Sequence, residues 1–272
     1  MTNLEQQRGA WDRFATSYDQ AITPVSTWAA EAALGLAGVR EGDRLLDVAA
    51  GPGALSLPAA RLGARVLAVD FSPSMVDLLT ERARAEGLEN LEARVMDGTS
   101  LALDDGTFDV ACSQLGIMLF PDRAAGLAEL ARVTRSGGTG VMSVFGPPER
   151  VPALAMFFGA AAKSITDFVV PPPREAPLFC LADPQDLTRE MVAAGFRDIE
   201  VHEIESRMHL ESAAALWDSM LSAAPAIAGL MNRATEAERE ATREQVMTAC
   251  RSQFGDGPVD VPFAFNVGIG RR

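Results

Sequence analysis

Apolar residues along this chain gather in short runs, and each run stops on an acid or a glycine-rich step. Leu45-Leu46-Asp47-Val48 leads into Ala49-Ala50-Gly51-Pro52-Gly53, and Arg65-Val66-Leu67-Ala68-Val69 closes on Asp70. Leu91 to Met96 closes on Asp97-Gly98, and Phe108 to Ser113 on Gln114-Leu115-Gly116. Short continuous apolar runs read as strands buried on both faces, the mark of a parallel sheet. Helix-sized segments lie between them. Ala54 to Leu62 is one, and Ser72 caps a second that opens on Pro73 and carries Met75, Val76, Leu79 and Ala83. A third runs from Asp122 to Arg135, and after Ser136-Gly137-Gly138 a fifth strand follows from Gly140 to Phe145. Strand and helix in alternation predict a doubly wound α/β fold.

Beyond Phe145 the pattern loosens. Positions 147–182 hold several prolines around an apolar stretch from Ala153 to Val169. Asp183-Pro184 opens a helix that Gly195 closes, and Phe196 to Met208 reads as a sixth strand. Positions 211–257 form a second insertion with a helix around Leu216 to Leu221. Another helix opens at Thr235, where Glu238 completes a capping box. Val261 to Gly270 returns as the last strand. The organisation expected is a sheet domain from 1–146, 183–210 and 258–272, with 147–182 and 211–257 as a helical lid. Met118, Phe120, Met156, Phe157, Phe158, Phe168, Phe179, Trp217, Met220 and Met231 would be the apolar lining under that lid.

The candidate chemistry sits where the first strands end. Gly51 and Gly53 let backbone approach a ligand closely, and Asp70, closing the second strand of a βαβ unit, is placed to bind ribose hydroxyls. Phe71 and Met75 follow where an adenine ring could lie, and Asp97 can accept from its exocyclic amine beside the Gly98 backbone. Three successive strands ending in Asp47, Asp70 and Asp97 form a series more specific than any one motif.

This series resembles the class I S-adenosylmethionine (SAM) dependent methyltransferases, in particular the bacterial group similar to the ubiquinone and menaquinone biosynthesis enzymes. The resemblance covers Trp11 to Phe145 and, less sharply, Asp183 to Phe196. It implies a Rossmann-like, seven-stranded sheet of order 3-2-1-4-5-7-6 with the last strand antiparallel. It also implies that Asp47, Gly51 and Gly53 hold the methionine portion, Asp70 the ribose, Asp97 and Gly98 the adenine, that Ala49 belongs to the same cofactor site, and that Gln114 borders the rest of the pocket. Trp11-Asp12-Arg13-Phe14-Ala15-Thr16-Ser17-Tyr18-Asp19 is similar to the family's leading helix, whose Tyr-Asp end closes over SAM. Two departures stand out. Pro58 falls inside the first helix, where proline kinks a chain, and Ile117 to Phe120 is wholly apolar where relatives can carry a polar residue.

A nicotinamide-dependent oxidoreductase is a rival, since that fold also puts glycines after its first strand. Its fingerprint is G-x-G-x-x-G, and here Ser56 occupies the third glycine position; Asp47 beside a diphosphate would also be repulsive. A non-catalytic SAM-binding module is a second rival, because one fold hosts many functions.

Composition narrows the partners. The 272 residues carry a formal charge of −13, with arginines scattered and no basic stripe, which argues against nucleic acid. No apolar run spans a bilayer, and the polar start from Met1 to Arg8 lacks a leader's apolar core. Three scattered cysteines point to reduced thiols in a cytoplasm, and they make no metal spacing with the two histidines. A homodimer is left open by the pattern. The expected activity is methyl transfer to a small hydrophobic molecule, with S-adenosylhomocysteine as by-product, driven by proximity and desolvation. Candidates for a base are His209, at the end of the sixth strand, and Tyr18, ahead of His202 and Asp12. Asp105 and Asp109 read as turn and strand-start residues.

Overall fold

A computed structural model describes residues 3–272, so the first two positions of the polar amino-terminal segment lie outside the described residues. Seven strands form one sheet: β1 (Arg44–Val48), β2 (Arg65–Asp70), β3 (Leu91–Val95), β4 (Phe108–Gln114), β5 (Thr134–Phe145), β6 (Arg197–Leu210) and β7 (Val259–Arg271). Their order is β3-β2-β1-β4-β5-β7-β6. The first five pair in parallel, with Asp47 opposite Ala68 on one side and Cys112 on the other. β7 runs antiparallel between β5 and β6.

Alternation along the strands explains why both faces are covered. In β1 and β4, Leu45, Val110 and Cys112 enter one apolar cluster, while Leu46, Val48 and Ala111 enter another. Helices from both sides complete these clusters: α2 (Thr23–Ala37) and α3 (Ser56–Arg61) contribute alanines and Leu34 to the first, and α5 (Arg123–Val133) gives Leu127 and Leu130 to the second. β3 is an edge strand, and it exposes the mutually paired Glu92 and Arg94 (2.6 Å). Charges of this kind blunt an open sheet edge.

Local signals account for most helix ends. In α4 (Pro73–Ala85) the Ser72 hydroxyl accepts the Met75 N–H. In α7 (Pro184–Ala194) Asp183 caps the start and Gly195, at φ +102°, takes the left-handed C-cap. The capping box of Thr235 and Glu238 opens α10 (Glu236–Phe254). The expected kink at Pro58 does not occur. That helix, α3, starts at Ser56, two residues later than its apolar run, so Pro58 falls in the opening turn, where its N–H would have no helical partner in any case.

The first helix, α1 (Asn3–Ala21), is followed directly by α2, an element the strand pattern did not indicate. α2 has no capping side chain at Ile22 to announce it. The two insertions supply α6 (Pro152–Ser164), α8 (Ala213–Ala223), α9 (Pro225–Arg233) and α10, with α6 and α8 both against α10 and α8 against α1. Among the described residues no single helix is long and apolar enough to cross a membrane.

Candidate functional site

The turn after β1 is built from residues in the left-handed region: Ala49 at φ +59°, Gly51 at +54° and Gly53 at +97°. Ala49 pays for this conformation with strain of a kind that gathers at functional sites. The turn after β4 leans on it. Leu115 is also left-handed (φ +56°), and a side-chain carbon added to Gly116 would sit 2.4 Å from that of Ala49. The two glycines of the first turn differ in role. Gly51 faces open space and donates its N–H to Asp70 Oδ2 at 2.9 Å. Gly53 is packed underneath, where a Cβ would lie 2.3 Å from Leu79 Cδ1, so its expected place against the ligand is taken by a packing role.

A cavity of about 450 Å³ opens above these turns. Ala49, Gly51, Asp70, Phe71 and Met75 line one side, Met96, Asp97, Gly98 and Thr99 a second, and Gln114 to Gly116 with Leu119 to Asp122 a third. Gln7, Trp11 and Tyr18 of α1 close it from above. Asp70 is buried, its Oδ1 accepting the Ser72 N–H and its Oδ2 the Gly51 N–H, both at 2.9 Å. Burial lifts its carboxyl to about 6 against these bonds, with the Asp12 charge adding to the rise. Asp97 Oδ1 accepts both the N–H and the hydroxyl of Thr99 at 2.8 Å, which holds it at the mouth of β3. Gly98 is there for lack of room: a Cβ would come within 2.7 Å of Val48 and Phe120.

Beside this cavity lies a chamber of about 20 Å³, bordered by Asp47, Gln114, Tyr18, Ser26 and Gly51 among others. That is space for one water-sized group. Asp47 is 1% exposed; Ser56 Oγ donates to its Oδ2 at 2.6 Å, and its Oδ1 has no partner among the described residues. Gln114 Nε2 donates to the Ser26 carbonyl of α2 at 2.7 Å, leaving a buried Oε1 also without a partner. Burial raises the Asp47 carboxyl to about 7, the Ser56 bond opposing and Asp70 adding to it. Two buried acceptors without donors are costly unless a ligand satisfies them. Burial, reinforced by Asp70, pushes the Tyr18 phenol up, which favours its protonated form.

Of the expected site residues, Tyr18, Ala49, Gly51, Asp70, Phe71, Met75, Asp97, Gly98 and Gln114 surround the cavity, and Asp47 borders the chamber. The histidines do not. His209, 64% exposed, is paired with Asp260 at 2.9 Å on the outer strand pair, and His202 sits 3.3 Å from Glu200. The lid lining is corrected as well. Phe120 touches the cavity, whereas Phe157, Trp217, Met118, Met220, Met231 and Phe179 are buried in the main core, with Met156, Phe158 and Phe168 packed against it. Gln7, Ser26, Ser56 and Leu115 were missed; the Ser56 hydroxyl, three residues past Gly53, was the one legible signal among them. Among the described residues no group of three or more His, Cys, Asp or Glu side chains is placed to hold a metal ion.

Residues 46–142, from β1 to β5, match a methyltransferase domain. By this match the segment from β1 to β5 is similar to methyltransferase domains. An uncharacterized protein of Mycobacterium tuberculosis is 44% identical over 108 residues, covering 39% of each chain. A demethylmenaquinone methyltransferase of Beutenbergia cavernae is 35% identical over 157 residues, 55% of this chain and 62% of that one. The chain thus spans less than two thirds of either relative. Its fold is also that of Haemonchus contortus phosphoethanolamine N-methyltransferase 2, solved with phosphomonomethylethanolamine and S-adenosylhomocysteine (TM-score 0.55, 16% identity, 90% of this chain and 52% of that chain).

Proposed function

We propose that this methyltransferase domain binds SAM beneath α1 and transfers its methyl group to a small hydrophobic molecule. The observation that carries this reading is the pair of unpartnered buried acceptors, Asp47 Oδ1 and Gln114 Oε1, at the chamber beside the cavity. An ammonium group fits both, and its charge would draw the Asp47 carboxyl back to its ionised form. A phosphate would be repelled there, which disfavours a dinucleotide. Each Asp70 oxygen retains a lone pair beyond its backbone bond, enough for ribose hydroxyls, and Asp97 with the Gly98 backbone suits an adenine edge.

When bound, SAM supplies an electrophilic methyl on a sulfonium, so no protein nucleophile is required. The chain's own residues bind, orient and exclude water. Orientation alone supplies on the order of 7 kcal/mol in favourable cases. Trp11, Met96, Leu119 and Phe120 give the wall its apolar character, which supports a hydrophobic acceptor, quinone-like compounds being the first to try. Tyr18, protonated, acts as wall and hydrogen-bond donor. Among the inserted helices α8 packs against α1, the helix that walls the cavity. Three buried, unpaired cysteines support a reducing, cytoplasmic setting.

The test is incubation with methyl-labelled SAM and a panel of apolar phenols, quinols and heterocycles. Label in a product supports transfer. SAM binding with no labelled product from any acceptor would favour the binding-module reading instead.

A further inference from the structure

Helix α1 repeats an aromatic-acid pair at a seven-residue interval, Trp11-Asp12 and Tyr18-Asp19. Seven residues make about two turns, so the two aromatics share one face and the two acids the next. The structure gives the faces separate work. Trp11 and Tyr18 are cavity walls, packed edge to face with centroids 5.5 Å apart. Asp12 and Asp19 reach α4.

Each acid meets, through one α4 or cap side chain, a different turn that lines the cavity, that after β2 for Asp12 and that after β1 for Asp19. Asp12 Oδ1 accepts from the Ser72 hydroxyl at 2.6 Å and the Ser74 N–H at 3.2 Å, while the Ser72 N–H donates to Asp70 at 2.9 Å. A single serine therefore joins the α1 acid to the acid closing β2. Asp19 is ion-paired with Arg82, and the same Arg82 Nη1 donates to the Pro52 carbonyl at 2.9 Å, between Gly51 and Gly53. These contacts are half-buried: the Arg82 and Asp19 side chains are 30% and 23% exposed, so solvent screens them only in part.

We propose that Asp12 and Asp19 are positioning residues that clamp the Trp11 and Tyr18 wall to the β2 and β1 turns, so that α1 docking and donor binding are coupled. The proposal rests on the donor-site reading above and adds to it which contacts transmit the coupling. By linkage the coupling is reciprocal: whatever strengthens α1 docking strengthens the ligand, and the ligand strengthens docking by the same factor. A merely structural anchor would hold α1 equally with and without ligand.

The experiment combines calorimetric titration with S-adenosylhomocysteine and amide hydrogen exchange of α1, on wild type, Asp12→Asn, Asp19→Asn and Arg82→Lys. The asparagines keep the side-chain size, and circular dichroism confirms that the variants are folded. In wild type, ligand is expected to slow exchange across α1. Each asparagine variant is expected to bind roughly tenfold more weakly and to lose most of the ligand-dependent protection. Arg82→Lys, which retains the positive charge, is expected to fall between. Ligand binding by wild type with no change in α1 exchange, or asparagine variants within twofold of wild-type affinity, overturns the clamp and leaves the donor site standing. No binding by wild type overturns both.

Discussion

Gly51 hands its backbone N–H to Asp70 Oδ2 at 2.9 Å, tying the turn after the first strand to the acid that closes the second. The bond fixes the carboxylate at the cavity wall and fixes the turn in its left-handed course, so one contact serves both halves of the site. Its neighbour Gly53 shares the sequence motif without sharing that role.

That division predicts different effects of two similar substitutions. Gly53→Ala forces a Cβ onto Leu79 and onto a left-handed backbone, costing about 2–4 kcal/mol. Gly51→Ala meets no neighbouring atom and costs about 1 kcal/mol, but it puts a methyl group toward the cavity. Thermal unfolding should show the larger loss for Gly53→Ala, and titration with S-adenosylhomocysteine the more specific loss of affinity for Gly51→Ala.

Asp47 and Asp70, lifted to about 7 and about 6, make stability depend on pH. Below the ordinary carboxylate pKa both are protonated folded and unfolded, and neither contributes. As pH rises toward 7 the unfolded chain gives up these protons while the folded one keeps them, so stability falls. Without ligand the protein should therefore be more stable at pH 5 than at pH 8 through these two groups. Asp47→Asn should remove its share, on the order of a few kcal/mol, and raise Tm at pH 8 while weakening the donor. Melting curves across this range, compared with the variant, check the sign. A wild-type Tm that rises toward pH 8 more than that of Asp47→Asn would refute it.

His209 stands outside the cavity on an exposed rim. His209→Ala should leave donor affinity and methyl transfer within twofold of wild type, and its exposed pair with Asp260 should be worth no more than about 1 kcal/mol. A large loss of turnover at unchanged affinity would reinstate it as a base.

Phe157 is fully buried and meets Trp217 at 6.2 Å between centroids. Phe157→Ala should cost about 3–5 kcal/mol in urea unfolding, with donor affinity close to wild type, because the residue serves the core.

The parallel centre of the sheet was legible because β1 and β2 are apolar runs with polar stops, and the caps at Ser72, Asp183, Gly195 and Thr235 are local hydrogen-bonding choices that sequence displays directly. The acids at the strand ends were legible for the same reason. Other features depend on contacts between distant segments. Gly51 and Gly53 look alike until Leu79 arrives from α4 beneath one of them. Phe157 and Trp217 have the spacing of a pocket lining and of a core helix alike, and only the packing of α6 near α8 and α10 decides between them. The Gln114 amide gains its meaning from Ser26, 88 residues earlier, on a helix that lacks a capping side chain.

The most direct test of the donor site is calorimetric titration of wild type and Asp70→Ala with S-adenosylhomocysteine, with NAD as the control ligand. Saturable micromolar binding by wild type, abolished in Asp70→Ala and absent for NAD, is the result predicted. No binding by wild type, or binding of NAD in its place, would contradict the account.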